Sequence, residues 1–138
     1  MGPSLSSHGG PVLSILDFRR LEKWLVVLIA IHSYLIGIFL LFLTRWGAAL
    51  GGWPEVEPLF FARQAGIFHV VVASGYLLEY FRHGTVTFLL LTKLLAVVFL
   101  GGIMVVEPSS SWVVSLSALG DAMMALVVYL VHRRVLTD

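Results

Sequence analysis

The chain has 138 residues, of which 59% are hydrophobic and only 12% charged, and its mean hydropathy is +0.96. A soluble domain carries about 25% charged residues, so water is the wrong solvent for most of this surface, and the class is integral membrane protein. Cysteine is absent, which excludes disulfides, thiolate metal sites and cysteine-ligated iron–sulfur clusters, and a formal net charge of +1 carries no nucleic-acid signal.

Residues 1–11 are rich in Gly, Ser and Pro and are expected to form a flexible tail ahead of a single domain over 12–138. From Val12 to Trp24, the apolar Val12, Leu13, Leu16 and Leu21 alternate with Asp17, Arg19, Arg20, Glu22 and Lys23. That pattern predicts a short amphipathic lead-in at the membrane interface. A helical span takes roughly 20 mostly apolar residues, and the first is expected at 21–43. The loop Thr44–Pro58 holds Gly47, Gly51, Gly52, Pro54 and Pro58 and reads as a turn-rich cap. A second span at 59–80 and a third at 85–106 are joined through Arg82-His83-Gly84, which makes them antiparallel neighbours. Glu107-Pro108-Ser109-Ser110-Ser111 forms the last turn, with serines to cap a fourth span at 112–132. The fold class is therefore all-α, a membrane four-helix bundle of up-down topology. No repeat relates its two halves, which gives little support to an inverted-repeat transporter.

Basic residues set the expected orientation. Arg19, Arg20, Lys23, Arg82, Arg133 and Arg134 fall on one side, against Arg45 and Arg63 on or near the other. Lys/Arg bias in short loops then puts both termini in the cytoplasm. Trp24, Trp46, Trp53 and Trp112 fall near span ends, as an interfacial aromatic belt requires.

One ionisable residue interrupts the middle of each span: His32, His69, Lys93 and Asp121. At about 1.5 Å per helical residue, each lies within roughly 4 Å of its span's midpoint. Ionisable groups at that depth are costly and face a bundle interior where they find partners. Ser117, Asp121 and Ala125 share one face of the fourth span, and Gly66, His69, Ala73, Tyr76 and Tyr80 share a broad face of the second. An ion pair between Lys93 and Asp121 would offset the cost of burying either alone. The plainest reading makes that pair a structural clamp, with both histidines satisfied by backbone or tyrosine hydroxyls. Three functional readings compete with it. One has His32 and His69 as axial ligands to a b-type haem, since neutral imidazoles on facing helices could supply that geometry. Alternatively, the cluster is a proton relay or the polar end of a quinone or lipid pocket. A metal centre from His32, His69 and Asp121 is the least favoured, and no metal is expected.

Arg63 and Gln64 enter the second span about one turn from its outer end. Arg63 is expected to snorkel or to pair with Glu55, Glu57 or Glu107. Its functional version, with Gln64 and Tyr76, is recognition of an anionic headgroup or substrate at a pocket mouth. GxSxG, HExxH and phosphate-cradling Gly-rich loops are all absent, so no catalytic residue is expected. Gly101-Gly102 reads as close packing or a kink.

From Phe61 to Arg134 the polar landmarks are Phe61-Ala62-Arg63-Gln64-Ala65-Gly66, Tyr76, Thr92-Lys93-Leu94-Leu95 and Gly120-Asp121 before an apolar run. In these the chain resembles small bacterial four-helix membrane proteins related to the DoxX-like group. The resemblance covers roughly half the chain and implies a compact four-helix membrane fold. Some members of that group are described as membrane subunits of quinone-linked oxidoreductases. It assigns no catalytic residue, and His32 and His69 lie outside its landmarks. The expected role is a non-catalytic accessory or scaffold subunit of a larger respiratory or photosynthetic redox complex. Its partners would be lipid and other membrane subunits or a second copy of the chain. A haem b-, quinone- or lipid-binding protein and a small proton-coupled carrier are the alternatives.

Overall fold

The structure, a computed structural model, describes residues 11–53, 55–108 and 110–137. Residues 1–10 of the tail expected at 1–11, Pro54 of the expected cap, Ser109 of the last turn and Asp138 lie outside the described residues, whereas Pro11 already belongs to the first helix. Among the described residues every regular element is helical: α1 (Pro11–Phe42), α2 (Thr44–Leu50), α3 (Leu59–His83), α4 (Thr87–Val106) and α5 (Trp112–Thr137). Four stretches, Asp17–Phe42 and the whole of α3, α4 and α5, are long and apolar enough to cross a membrane.

Two local expectations change. The lead-in is not a separate element, because α1 continues unbroken from Pro11, and no glycine or proline interrupts it before Gly37. The 44–58 connection is not all turn. Thr44, buried at 3% exposure, donates its hydroxyl to the Leu40 carbonyl at 2.6 Å, and Trp46 lies 5.8 Å from the Phe39 ring. These contacts let Ala48-Ala49-Leu50 continue as the short helix α2, which Gly51 and Gly52 end, the latter at φ +94°.

The long helices form a ring in the order α1, α3, α4, α5. α1 packs most closely on α3, α4 packs on α5, and α1 also meets α5, while neither diagonal pair packs together. A ring with open diagonals is hollow at its centre unless side chains fill it. Near the turn that carries Arg82 they do. Val26, Ile29, Ala30, Ala73, Tyr76, Val86, Leu89 and Val128 form the core there, none more than 5% exposed.

Two glycines set the α1–α3 approach. A Cβ on Gly37 would sit 2.8 Å from the Gly66 carbonyl oxygen, and a Cβ on Gly66 would sit 2.8 Å from that of Gly37. Such mutual contact is how small residues replace a hydrophobic driving force between helices in lipid. Tyr34 on α1 reaches Ser74 on α3 at 2.7 Å. Ser74 gives its own proton to the Val70 carbonyl, so the tyrosine is the donor.

α3 and α4 are joined by a tight turn closed by Gly84 at φ +68°, yet they touch over little of their length. Their contacts gather at the Arg82 end. Glu79 accepts the Thr85 hydroxyl and the Phe88 amide, both at 2.9 Å, and so caps the start of α4. The Phe88 ring packs against Gly75 and lies 5.8 Å from that of Tyr76. Toward the Trp53 end the two helices part, and the expected close neighbours are neighbours over one half only.

Candidate functional site

Lys93 on α4 donates to the Asp121 carboxylate on α5 at 2.5 Å, with side-chain exposures of 7% and 15%. The expected intramembrane ion pair is present. It lines a central cavity of about 650 Å³ in the hollow of the ring. His32 and His69 line the same cavity, so all four mid-span ionisable residues come together. Ser117 adds a hydroxyl, and Phe99, Leu100, Val113 and Leu116 make the wall toward the Trp53 end apolar.

Two side openings adjoin the cavity and share wall residues with it, and they differ chemically. A cleft of about 280 Å³ at the α3–α4 seam shares His69, Lys93, Ala96 and Asp121 with the cavity, so the ion pair stands at their junction. Ser33, Tyr76 and Thr92 complete its polar lining. Thr92 donates to the Phe88 and Leu89 carbonyls at 3.0 Å, so Tyr76 is the donor in the 2.7 Å bond between the two hydroxyls. A second groove of about 340 Å³ runs between α1 and α5 and meets the cavity at His32 and Met124. His32 is therefore only partly interior, being an exposed residue that faces both spaces.

The pocket-mouth group does not assemble as expected. Tyr76 is 2% exposed and sits on the floor of the α3–α4 cleft, more than three helical turns from Arg63. Arg63 and Gln64 are exposed near the start of α3, outside the cleft. Arg63 makes no ion pair among the described residues, and Glu57 is taken by Arg45 at 2.9 Å. Nor does Gly101-Gly102 mark close packing: no atom lies within 4 Å of a Cβ built on either. Gly101 is half-buried and Gly102 exposed.

A second polar cluster, missed in the sequence, lies at the Arg82 end. Glu22 is 3% exposed and accepts from His132 Nδ1 at 2.5 Å, while the Tyr80 hydroxyl approaches its other oxygen at 3.4 Å. It ties α1, α3 and α5 together. The signal was available, because Glu22, Val26, Ile29, Ser33 and Gly37 recur at helical spacing and all are buried. Likewise His132 continues the Asp121–Ala125–Val128 stripe of α5. The interleaved charges of the lead-in hid this by resembling a solvated face.

The α1–α3 packing also bears on the haem reading. A porphyrin held by His32 and His69 needs their helices parted by the ring and two imidazoles. Instead, the His69 Cβ lies 3.3 Å from where a Gly37 Cβ would be, one turn and a half beyond His32. Helices whose backbones touch there do not leave that gap. Among the described residues no three His, Asp or Glu side chains gather as a metal site. Compared with protein-family models, curated proteins and solved structures, the chain matches none.

Proposed function

We propose that this chain is a multi-pass membrane protein that binds an uncharged, lipid-soluble amphiphile of the quinone or neutral-lipid kind in the hollow of its bundle. The observation that carries this is the Lys93–Asp121 pair at the junction of a cavity of about 650 Å³ and a cleft open to the side. An ammonium has three donors and spends one on Asp121. His32 and His69 bring further donor and acceptor positions to the same space. A structural clamp alone needs no such cavity around it.

The charge balance selects the head. The pair is net neutral, so an anionic head would leave an uncompensated charge in a site of low dielectric, which is expensive. A carbonyl or hydroxyl head accepts from Lys93 or an imidazole without that cost. The reaction chemistry, if the ligand is redox-active, belongs to the ligand or to a partner.

A second reading, compatible with the first, is that the bundle is a non-catalytic subunit of a larger redox assembly. It is favoured by the poorly covered Trp53 half of α4, where Val98, Phe99, Val105 and Val106 are 65–81% exposed beside Gly101 and Gly102. The DoxX-like resemblance points the same way. Both termini are proposed to be cytoplasmic in a bacterial inner membrane, and a C-terminal reporter active only outside the cytoplasm would invert that assignment.

The test is extraction. Protein purified in mild detergent should release a neutral amphiphile into organic solvent, seen by mass spectrometry, and a Lys93→Met/Asp121→Leu double variant should release none. Identical lipid profiles from the two would overturn the binding reading. Recovery only of a free chain, with no partner subunit in the same preparation, would overturn the second.

A further inference from the structure

The two side openings of the cavity are not equivalent, and their difference assigns a direction to the bound molecule. We propose that the groove between α1 and α5 holds the apolar chain of the ligand, with His32 and Met124 as the threshold between head and chain. This rests on the binding reading above. The groove and the cavity lie on either side of those two residues, which line both. Beyond them it is lined by Leu25, Leu28, Ile29, Met123 and Val127, none of which offers a hydrogen-bonding side chain. The α3–α4 cleft, by contrast, carries Ser33, His69, Tyr76, Thr92, Lys93 and Asp121. Tyr76–Thr92 and Lys93–Asp121 are already paired, but an alkyl chain laid there would cover the His69 imidazole, which has no side-chain partner among the described residues.

The packing closes the axial route toward the Arg82 end, which leaves the apolar wall of Phe99, Leu100, Val113 and Leu116 toward the Trp53 end as the competing place for a chain. Straight down the bundle axis toward the Arg82 end, Val26, Ile29, Tyr76, Leu89 and Val128 fill the space, none more than 5% exposed. A chain leaving the cavity in that direction must turn outward between α1 and α5. From His32 to Leu25 the groove follows α1 for roughly 10 Å at 1.5 Å per residue. Met123 and Met124, unbranched and polarisable, suit a wall that must fit a flexible chain. The bound molecule therefore straddles the ring, its head at the ion pair and its chain against the lipid-facing side of α1 and α5.

The experiment uses the full chain in phosphatidylcholine nanodiscs and a benzoquinone bearing a decyl chain that ends in a diazirine. After photolysis, labelling that excess unlabelled decyl-benzoquinone abolishes should map to residues 25–28 of α1 and 123–127 of α5. Filling the groove with Leu28→Trp and Met123→Trp should reduce that label to background. Chainless benzoquinone, followed by quenching of intrinsic tryptophan fluorescence, should still bind the filled variant and should fail to bind Lys93→Met/Asp121→Leu. Competable label on Phe68 of the other seam or on Phe99 of the cavity wall, with chainless binding intact, would overturn the chain assignment and leave the head site standing. Absence of competable label together with absence of chainless binding to the unaltered protein would overturn both.

Discussion

Breaking the Lys93–Asp121 pair is the perturbation whose size follows most directly from the geometry. At an effective dielectric of about 20, unit charges separated by the observed 2.5 Å attract by roughly 7 kcal/mol. Desolvation of both groups cancels much of that, which is why replacing a whole buried pair by apolar residues is often close to neutral, whereas removing one partner costs about 3–5 kcal/mol. Lys93→Met leaves Asp121 with no countercharge at mid-depth, and protonation is its main relief. Asp121→Leu leaves a lysine whose long stem lets the ammonium move toward the cleft and the interface, so this loss should be the smaller one. We expect the single variants to lose about 2–4 kcal/mol and the double variant to lose about 2 kcal/mol less than their sum, within the usual range for contacting residues.

The assay is thermal unfolding in mild detergent, read by the fluorescence of Trp24, Trp46, Trp53 and Trp112, which are 44–58% exposed and sensitive to their surroundings. For a chain of this length each kcal/mol corresponds to about 4 °C. A coupling below about 0.5 kcal/mol, which is ordinary additivity, would refute the claim that the pair contributes to stability as a unit.

Three further outcomes are expected from the same assay. Gly37→Val puts a Cβ 2.8 Å from the Gly66 carbonyl oxygen and 3.0 Å from a Val70 methyl, so overpacking should cost at least about 1–3 kcal/mol and loosen α1 from α3; an unchanged midpoint would contradict the backbone contact. Gly101→Ala with Gly102→Ala meets no atom within 4 Å and should stabilise α4 by up to about 1 kcal/mol for each glycine through helix propensity, whereas a loss of stability would show a neighbour packed there. Glu22→Ala removes a carboxylate that is 3% exposed and bonded to His132, and should cost about 1–3 kcal/mol. Glu57→Ala, whose partner Arg45 is 75% exposed, should change stability by less than about 1 kcal/mol, so equal effects at the two glutamates would place Glu22 on the surface.

The spans were legible because lipid imposes length and composition, and Leu59 and Trp112 begin helices where hydropathy alone puts them. The mid-depth cluster was legible for a related reason: apolar runs make an ionisable residue conspicuous, and similar depth on four helices leaves few places for it to go. What the sequence did not disclose depends on contacts between helices. Gly37 and Gly66 look like any other span glycines until two backbones touch. The parting of α3 from α4 is likewise invisible in a linear pattern, since the short turn through Gly84 fixes only where the two helices meet. Glu22 was misread because its neighbours Arg19, Arg20 and Lys23 are exposed, and a local charge run outweighed its position on the buried stripe of α1. Tyr76 was placed with Arg63 because both lie on α3, although more than three turns separate them.

The arrangement of polar and apolar layers along the bundle separates a binding site from a pathway. Eleven residues of α5, about 16 Å at 1.5 Å per residue, separate Asp121 from His132, and the intervening layer of Val26, Ile29, Ala30, Ala73, Leu89 and Val128 is packed to 5% exposure or less. A proton-coupled carrier would have to expose Asp121 through that layer to the Arg82 side and then reseal it. In lipid the layer is held by close packing rather than by water exclusion, so opening it forfeits those contacts unless other groups replace them. The Glu22–His132–Tyr80 cluster resists the same motion, because it clamps α1, α3 and α5 on the far side of the layer. A ligand arriving from the bilayer meets neither obstacle. On the proposed reading it needs only the two side openings, which share Lys93–Asp121 and His32 with the cavity wall. This packing supports the proposed binding of a membrane-borne ligand over the carrier alternative.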